Sequence, residues 1–239
     1  MLSTLSSHAP RISKAEFDDE ARAFLEKYYP EALQTPMSVP ILTIARKKMG
    51  LRIVERHLSE DLSILGQMCF TNGLAEIYDK ENDEYREVKV RYGTMIIDPD
   101  TIKVRNEGCK NNTVAHECFH WHKHRDYHIA VSVQDNARGI KRYCYSDEKP
   151  ESTQSDWTDE DWMEWQAAGI APRILMPLDT FVIMAERFLS EYADNPAISM
   201  KWYSLHGWVV NSMASFFKVS KQSAEIRLTE TGYRLRDEF

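Results

Sequence analysis

Apolar positions along the chain follow two rhythms. Between residues 14 and 29, Phe17, Ala21, Phe24, Leu25 and Tyr28 recur at helical spacing, with acids early, Lys27 late and Pro30 as a stop. This predicts an amphipathic arm that packs onto the body or onto a partner. After a linker bounded by Pro36 and Pro40, Ile41, Ile44, Ala45 and Met49 predict a second helix that ends at Gly50. The period then falls to two. Short strands are predicted at 51–54, 67–70, 74–78, 87–92 and 94–97, separated by Thr71-Asn72-Gly73, a charged turn at 79–84 and Gly93. Val88, Val90 and Tyr92 alternate with Lys89 and Arg91, as in a half-buried strand.

From Asn111 to Ile129 neither Gly nor Pro interrupts the chain, and Val114, Ala115, Cys118 and Phe119 make an apolar helical stripe with Asn112 or Thr113 as its N-cap. Residues 129–133 and 140–145 read as strands, and the polar, Pro-containing stretch 146–157 as a surface loop. Further helices are predicted at 162–175 despite Gly169 and Pro172, at 181–192, at 202–217 and from Ser220 until Gly232. A helix, a small mostly antiparallel sheet and then more helices make an α+β layout.

Composition narrows the classes. The chain has 239 residues, enough for one large domain or a domain plus an arm, with 43% hydrophobic and 28% charged residues. A net charge of -7 argues against a broad nucleic-acid or anionic-membrane footprint. No apolar run has the length of a membrane span, and the first residues lack an apolar core of signal-peptide type, so a cytoplasmic protein is expected. Cys69, Cys109, Cys118 and Cys144 are widely spaced and are expected as free thiols. Cys118 reads as a small core hydrophobe, and Cys144 as a metal ligand lacks any partner spacing.

The chemistry centres on His116-Glu117-Cys118-Phe119-His120. Two histidines four apart stand on one helix face and can share a divalent metal, while Glu117, turned about 100° away, can reach a water on that metal. That is the arrangement of a zinc peptidase with Glu117 as general base. Catalytic zinc takes three protein ligands and leaves a position for water. His124, four residues beyond His120, shares the ligand face, but a helix rises about 6 Å over four residues and cannot curl three turns around one ion. It is expected beside the ligands or at the surface. His122, Asp126 and His128, with Lys123 and Arg125 among them, read as a solvated face. A carboxylate from another helix is wanted: Glu164, among Trp162, Trp165 and Ala167, leads, with Glu160, Asp159 and Asp161 as alternatives.

The motif, followed by Glu164-Trp165-Gln166-Ala167-Ala168-Gly169-Ile170 and the run to Leu175-Met176-Pro177, resembles the ImmA/IrrE-type metallopeptidases of bacteria, phages and integrative elements. Phe217-Lys218-Val219-Ser220, Arg227-Leu228 and Gly232 resemble that family's tail, and Gly93-Thr94-Met95-Ile96-Ile97-Asp98-Pro99 its strand leading to the metal helix. The resemblance covers roughly residues 40–233. It implies a zincin-like domain over 40–239, preceded by an arm and linker over 1–39 and carrying a variable segment near 125–160. It implies Zn2+ on His116, His120 and Glu164, with Glu117 as the base, and a repressor-type regulator as the protein substrate. Ala168 departs from the Asn usual in the family, which puts one hydrogen bond behind the ligands in doubt.

Two other classes compete. A metal-stabilised sensor or antitoxin-like module would bind its partner without turnover. A helix-turn-helix reading of residues 217–233, with Ser220 as N-cap and Lys221, Gln222 and Arg227 facing DNA, conflicts with the acidic charge and with the resemblance of that segment to a peptidase tail.

Overall fold

The alternating segments build two sheets. The protein is described by a computed structural model over residues 9–102, 106–134, 141–145, 157–195, 197 and 204–233. Its strands are β1 (Arg52–Glu55), β2 (Ile64–Cys69), β3 (Gly73–Asp79), β4 (Glu84–Val90), β5 (Thr94–Ile97) and β6 (Lys141–Tyr145). Four of them form a sheet in the order β1-β5-β2-β6, and β3 and β4 pair as a separate hairpin. β1 and β5 run parallel, with Arg52 opposite Thr94, while β2 is antiparallel to both β5 and β6, with Gly66 opposite Ile97 and Cys144. The expected α+β layout with a mostly antiparallel sheet is present.

Period two assigns each face of the larger sheet its own cover. Met68, Phe70, Met95 and Ile97 point into the main core among the helices. Cys69 and Ile96 point the other way, into a smaller cluster with Leu58 and Ala75, against which Val88 and Val90 of the hairpin pack.

The helices are α1 (Phe17–Tyr28), α2 (Glu31–Gln34), α3 (Ile41–Thr43), α4 (Glu107–Phe119), α5 (Arg125–Gln134), α6 (Asp159–Leu175), α7 (Leu178–Asp194), α8 (Leu205–Phe217) and α9 (Lys221–Glu230). Helix α4 lies on β2 and β5 and packs along α6, and α1 also packs along α6. Phe17, Ala21, Phe24 and Leu25 of α1 share one core with Val114, Cys118 and Phe119 of α4 and with Ile170 and Ile174 of α6. Full burial of the large apolar side chains among them contributes about 1.5–3 kcal/mol each, which fastens α1 to the body. The contact between α1 and α6 requires Gly169, because a Cβ there would lie 2.1 Å from a ring carbon of Phe17.

One expected strand is a helix. Residues 129–133, rich in β-branched side chains, belong to α5, which continues α4 through a π turn at His120–His124. Packing decided against local propensity here. His128 is correspondingly 1% exposed and stacks on Phe70 at 4.3 Å, and His122 sits edge-on to Phe24 and Tyr28, so neither lies on a solvated face. The strand expected at 140–145 is present as β6, whereas the side chain of Cys144, the loop expected over 146–156 and Trp202 lie outside the described residues. Among the described residues no single helix is long and apolar enough to cross a membrane.

Candidate metal centre

Helix α4 begins earlier than its apolar stripe. The side chain of Asn106 accepts from the backbone N–H of Cys109 at 2.8 Å and caps the helix, in place of Asn112 or Thr113. Thr113 donates back to the Cys109 carbonyl, and Asn111 donates to the Lys218 carbonyl at 2.9 Å, which ties the helix to the α8–α9 junction. The first of these is an ordinary helical back-bond.

Two turns further on, His116 and His120 converge. Their Nε2 atoms are 2.9 Å apart; Glu164 Oε2 lies 3.2 Å from His116 Nε2, and Glu164 Oε1 lies 3.4 Å from His120 Nε2. Both histidines are buried, and the Glu164 side chain keeps 19% exposure, so the cluster opens to solvent on the carboxylate side. Glu164 comes from α6, which packs along α4. Two of the three carboxylates weighed against it are engaged elsewhere: Asp161 closes a capping box with Thr158, and Asp159 pairs with Arg11 at 2.7 Å; Glu160 is not among the residues that cluster with the histidines. Burial pushes the Glu164 proton affinity up, but the charge of His120 and the hydrogen bonds from His116 and His120 outweigh it, so the carboxylate is held well below the usual range.

Glu117 is 0% exposed, and neither of its carboxylate oxygens has a hydrogen-bond partner among the described residues. Burial first, and the neighbouring Glu164 charge second, push its proton affinity well above that of an ordinary carboxyl group. An orphaned buried carboxylate is costly and persists where function demands it. Gly66 of β2 makes room for it, as described below.

His124 is fully buried on the far side of His120. Its Nδ1 lies 2.9 Å from His120 Nδ1, and its Nε2 lies 3.0 Å from Gln166 Oε1. Burial, and then the nearby His120, depress its proton affinity well below the usual imidazole range, so it is neutral. Ala168 is exposed and offers no polar group; the polar partner behind His120 is instead His124. Trp121 packs with Phe70 and Tyr92, and Trp165 with Phe17, so both are structural aromatics.

Residues 105–229 match the model of peptidase family M78, described as the IrrE N-terminal-like domain. The chain belongs to this family. No curated protein matches the sequence. The M78 match runs from the cap of α4 to the end of α9 and so includes His116, Glu117, His120 and Glu164, while the strands β1 to β5 and helix α1 precede it.

A metallopeptidase family implies a metal, and the residues present fit one. Two imidazole nitrogens and a carboxylate make a three-ligand set. Bonds of about 2.0–2.1 Å in a tetrahedron place neighbouring donors about 3.3 Å apart. The observed 2.9, 3.2 and 3.4 Å bracket that spacing. The unpartnered Glu117 beside the set is the further sign that a polar group completes the site.

Burial of His124 and its link to Gln166 escaped the sequence reading, as did Gly66. The spacing did carry a signal: His124 stands one turn beyond His120, and Gln166 two residues beyond Glu164.

Proposed function

We propose that this M78 protein is a zinc-dependent metalloendopeptidase that cuts a repressor-type regulator. The observation that carries the reading is the buried, unpartnered carboxylate of Glu117 directly beside the His116, His120 and Glu164 donors. The resemblance of the motifs to ImmA/IrrE-type peptidases supports the repressor as substrate, and the imidazole and carboxylate donor set suits zinc, though it also accepts manganese, iron or cobalt.

His116, His120 and Glu164 would hold the ion. Zinc there supplies Lewis acidity, lowering the pKa of a water and polarising a peptide carbonyl. Glu117 takes a proton from the attacking water and delivers it to the amine nitrogen as the peptide bond breaks. Its dry surroundings raise its affinity for that proton, which favours the first transfer, from the water; the greater basicity of the departing amine drives the second. Burial of both histidines keeps bulk water from their side of the cluster, and the partial exposure of Glu164 leaves the substrate side open.

The test pairs metal content with cleavage. Wild type is expected to carry close to one zinc per chain, with His120→Ala and Glu164→Ala losing it. Glu117→Gln should retain zinc and bind the regulator without cutting it. A wild type that binds the regulator but leaves it intact would favour a sensor or antitoxin-like module. A wild type that takes up no zinc would remove the metallopeptidase reading.

A further inference from the structure

Behind the metal ligands runs a line of polar groups whose donor and acceptor directions are all determined by one end. The carbonyl of Pro10 can only accept, and Gln166 Nε2 donates to it at 2.8 Å. This turns Gln166 Oε1, an acceptor, toward His124 Nε2 at 3.0 Å, so His124 carries its proton on Nε2. His124 Nδ1 is then a lone pair, and it faces His120 Nδ1 at 2.9 Å, so His120 carries its proton on Nδ1. The Nε2 of His120 is the ring nitrogen outside this line; it faces His116 and Glu164, where an ion would displace any proton it shares with the carboxylate.

We propose that Pro10, Gln166 and His124 form a relay that locks His120 in the tautomer that binds metal through Nε2. His124 and Gln166 are positioning residues that touch no substrate. The inference rests on the metal reading above and extends it to a segment that precedes the family match, since Pro10 supplies the fixed end. Two features of the fold assemble the relay. The π turn at His120–His124 sets His124 over His120, and α6 presents Glu164 to the Nε2 side of the ligands and Gln166 to the opposite side. π turns inside α-helices are concentrated at functional sites. His124, Gln166 and His120 are each 0% exposed, so no water substitutes freely for a missing member.

The discriminating pair is Gln166→Met against Gln166→Glu. Methionine fills the space and ends the relay. A glutamate accepts from His124 Nε2–H with one oxygen and, when protonated, donates to the Pro10 carbonyl with the other. Zinc affinity is read on the full chain by competition with a chromophoric chelator, beside His124→Phe. Histidine tautomers are read by 15N NMR on the metal-free protein. Gln166→Met and His124→Phe should weaken zinc binding by about 10–100-fold, the range for partners that orient metal ligands. Gln166→Glu should stay close to wild type, and His120 should be protonated on Nδ1 in wild type and mixed in Gln166→Met. A purely structural role predicts the reverse order, because a buried glutamate disturbs packing more than a methionine. Equal zinc affinity in Gln166→Met and wild type, or an unchanged His120 tautomer, would overturn the relay. A wild type that binds no zinc would instead overturn the metal reading, and the tautomer measurement would still decide the relay.

Discussion

Gly66 of β2 and Glu117 of α4 meet where no side chain fits between them. A Cβ on Gly66 would lie 3.1 Å from Glu117 Oε1 and 2.6 Å from Thr113 Cγ2. The sheet therefore approaches the motif helix at the one turn that carries the proposed base, and the wall behind Glu117 is bare backbone.

Gly66→Ala should accordingly displace Glu117 or Thr113. Overpacking of this kind costs about 1–3 kcal/mol. The three atoms nearest a Cβ there belong to Thr113 and Glu117 and not to the proposed ligands His116, His120 and Glu164, so zinc stoichiometry should stay as in wild type while turnover falls, with kcat more affected than KM. Unfolding in urea, metal analysis and peptide-cleavage kinetics on the same preparation check this. An unchanged kcat would show that the carboxylate needs no such wall.

Metal removal should be visible as a loss of stability. An ion that binds only the folded chain stabilises it by RT ln(1 + [L]/Kd), about 4 kcal/mol at a thousandfold excess over Kd. For a chain of this size that corresponds to a fall in Tm on the order of 10 °C when a chelator is added. Glu164→Ala, which leaves two imidazoles, should show a much smaller chelator effect. Scanning calorimetry with and without chelator on both proteins makes the comparison.

The parts of the site that were legible in the sequence are the local ones. His116, Glu117 and His120 share one helical turn, so their spacing alone places them, and the hairpin of β3 and β4 follows from alternation and its charged turn. Glu164 was one of several carboxylates until the resemblance singled it out, because its partner helix is distant along the chain. What stayed hidden depends on which surfaces meet. His128 reads as polar but stacks on Phe70 of the sheet, and residues 129–133 favour a strand but ride on α5 beyond the π turn. Gly66 lies just outside the strand expected at 67–70, and its role shows only when α4 is laid against β2.

His122 should give the acid limb of the stability curve a specific component. Burial, then the charges of Lys27, Lys123 and Arg125, push its pKa down from 6.5 to about 4. The folded ring thus stays neutral where the unfolded chain takes a proton. Its contribution is intact above pH 6.5 and is lost as pH falls from 6.5 toward 4, where the loss levels off. At about 1.4 kcal/mol per unit the total is at most about 3 kcal/mol, less what solvent reaching the half-buried ring removes. In His122→Phe, surrounded by Phe24, Tyr28 and Phe119, that component should vanish, and the difference between the two proteins should track this window in urea titrations from pH 7 to pH 4.

Asp18 is the last test, because it ties the first helix to the final one through buried charge. Arg227 of α9 is 2% exposed and donates Nη1 to Asp18 Oδ2 at 3.1 Å, with Nη2 on the other carboxylate oxygen. Arg173 of α6 lies 3.6 Å from the same carboxylate. Removing one partner of a fully buried pair costs about 3–5 kcal/mol, because the remaining charge is left without compensation. Asp18→Ala should fall below that range, since the Asp18 side chain is 35% exposed and screened by solvent and Glu230 remains 2.8 Å from Arg173 and 3.9 Å from Arg227. Adding Arg227→Met should recover part of the loss, as an apolar side chain of similar length removes the stranded charge. Urea midpoints of wild type, Asp18→Ala and the double variant settle the order. A double variant less stable than the single one would mean that Arg227 acts mainly through its bond to the Met176 carbonyl.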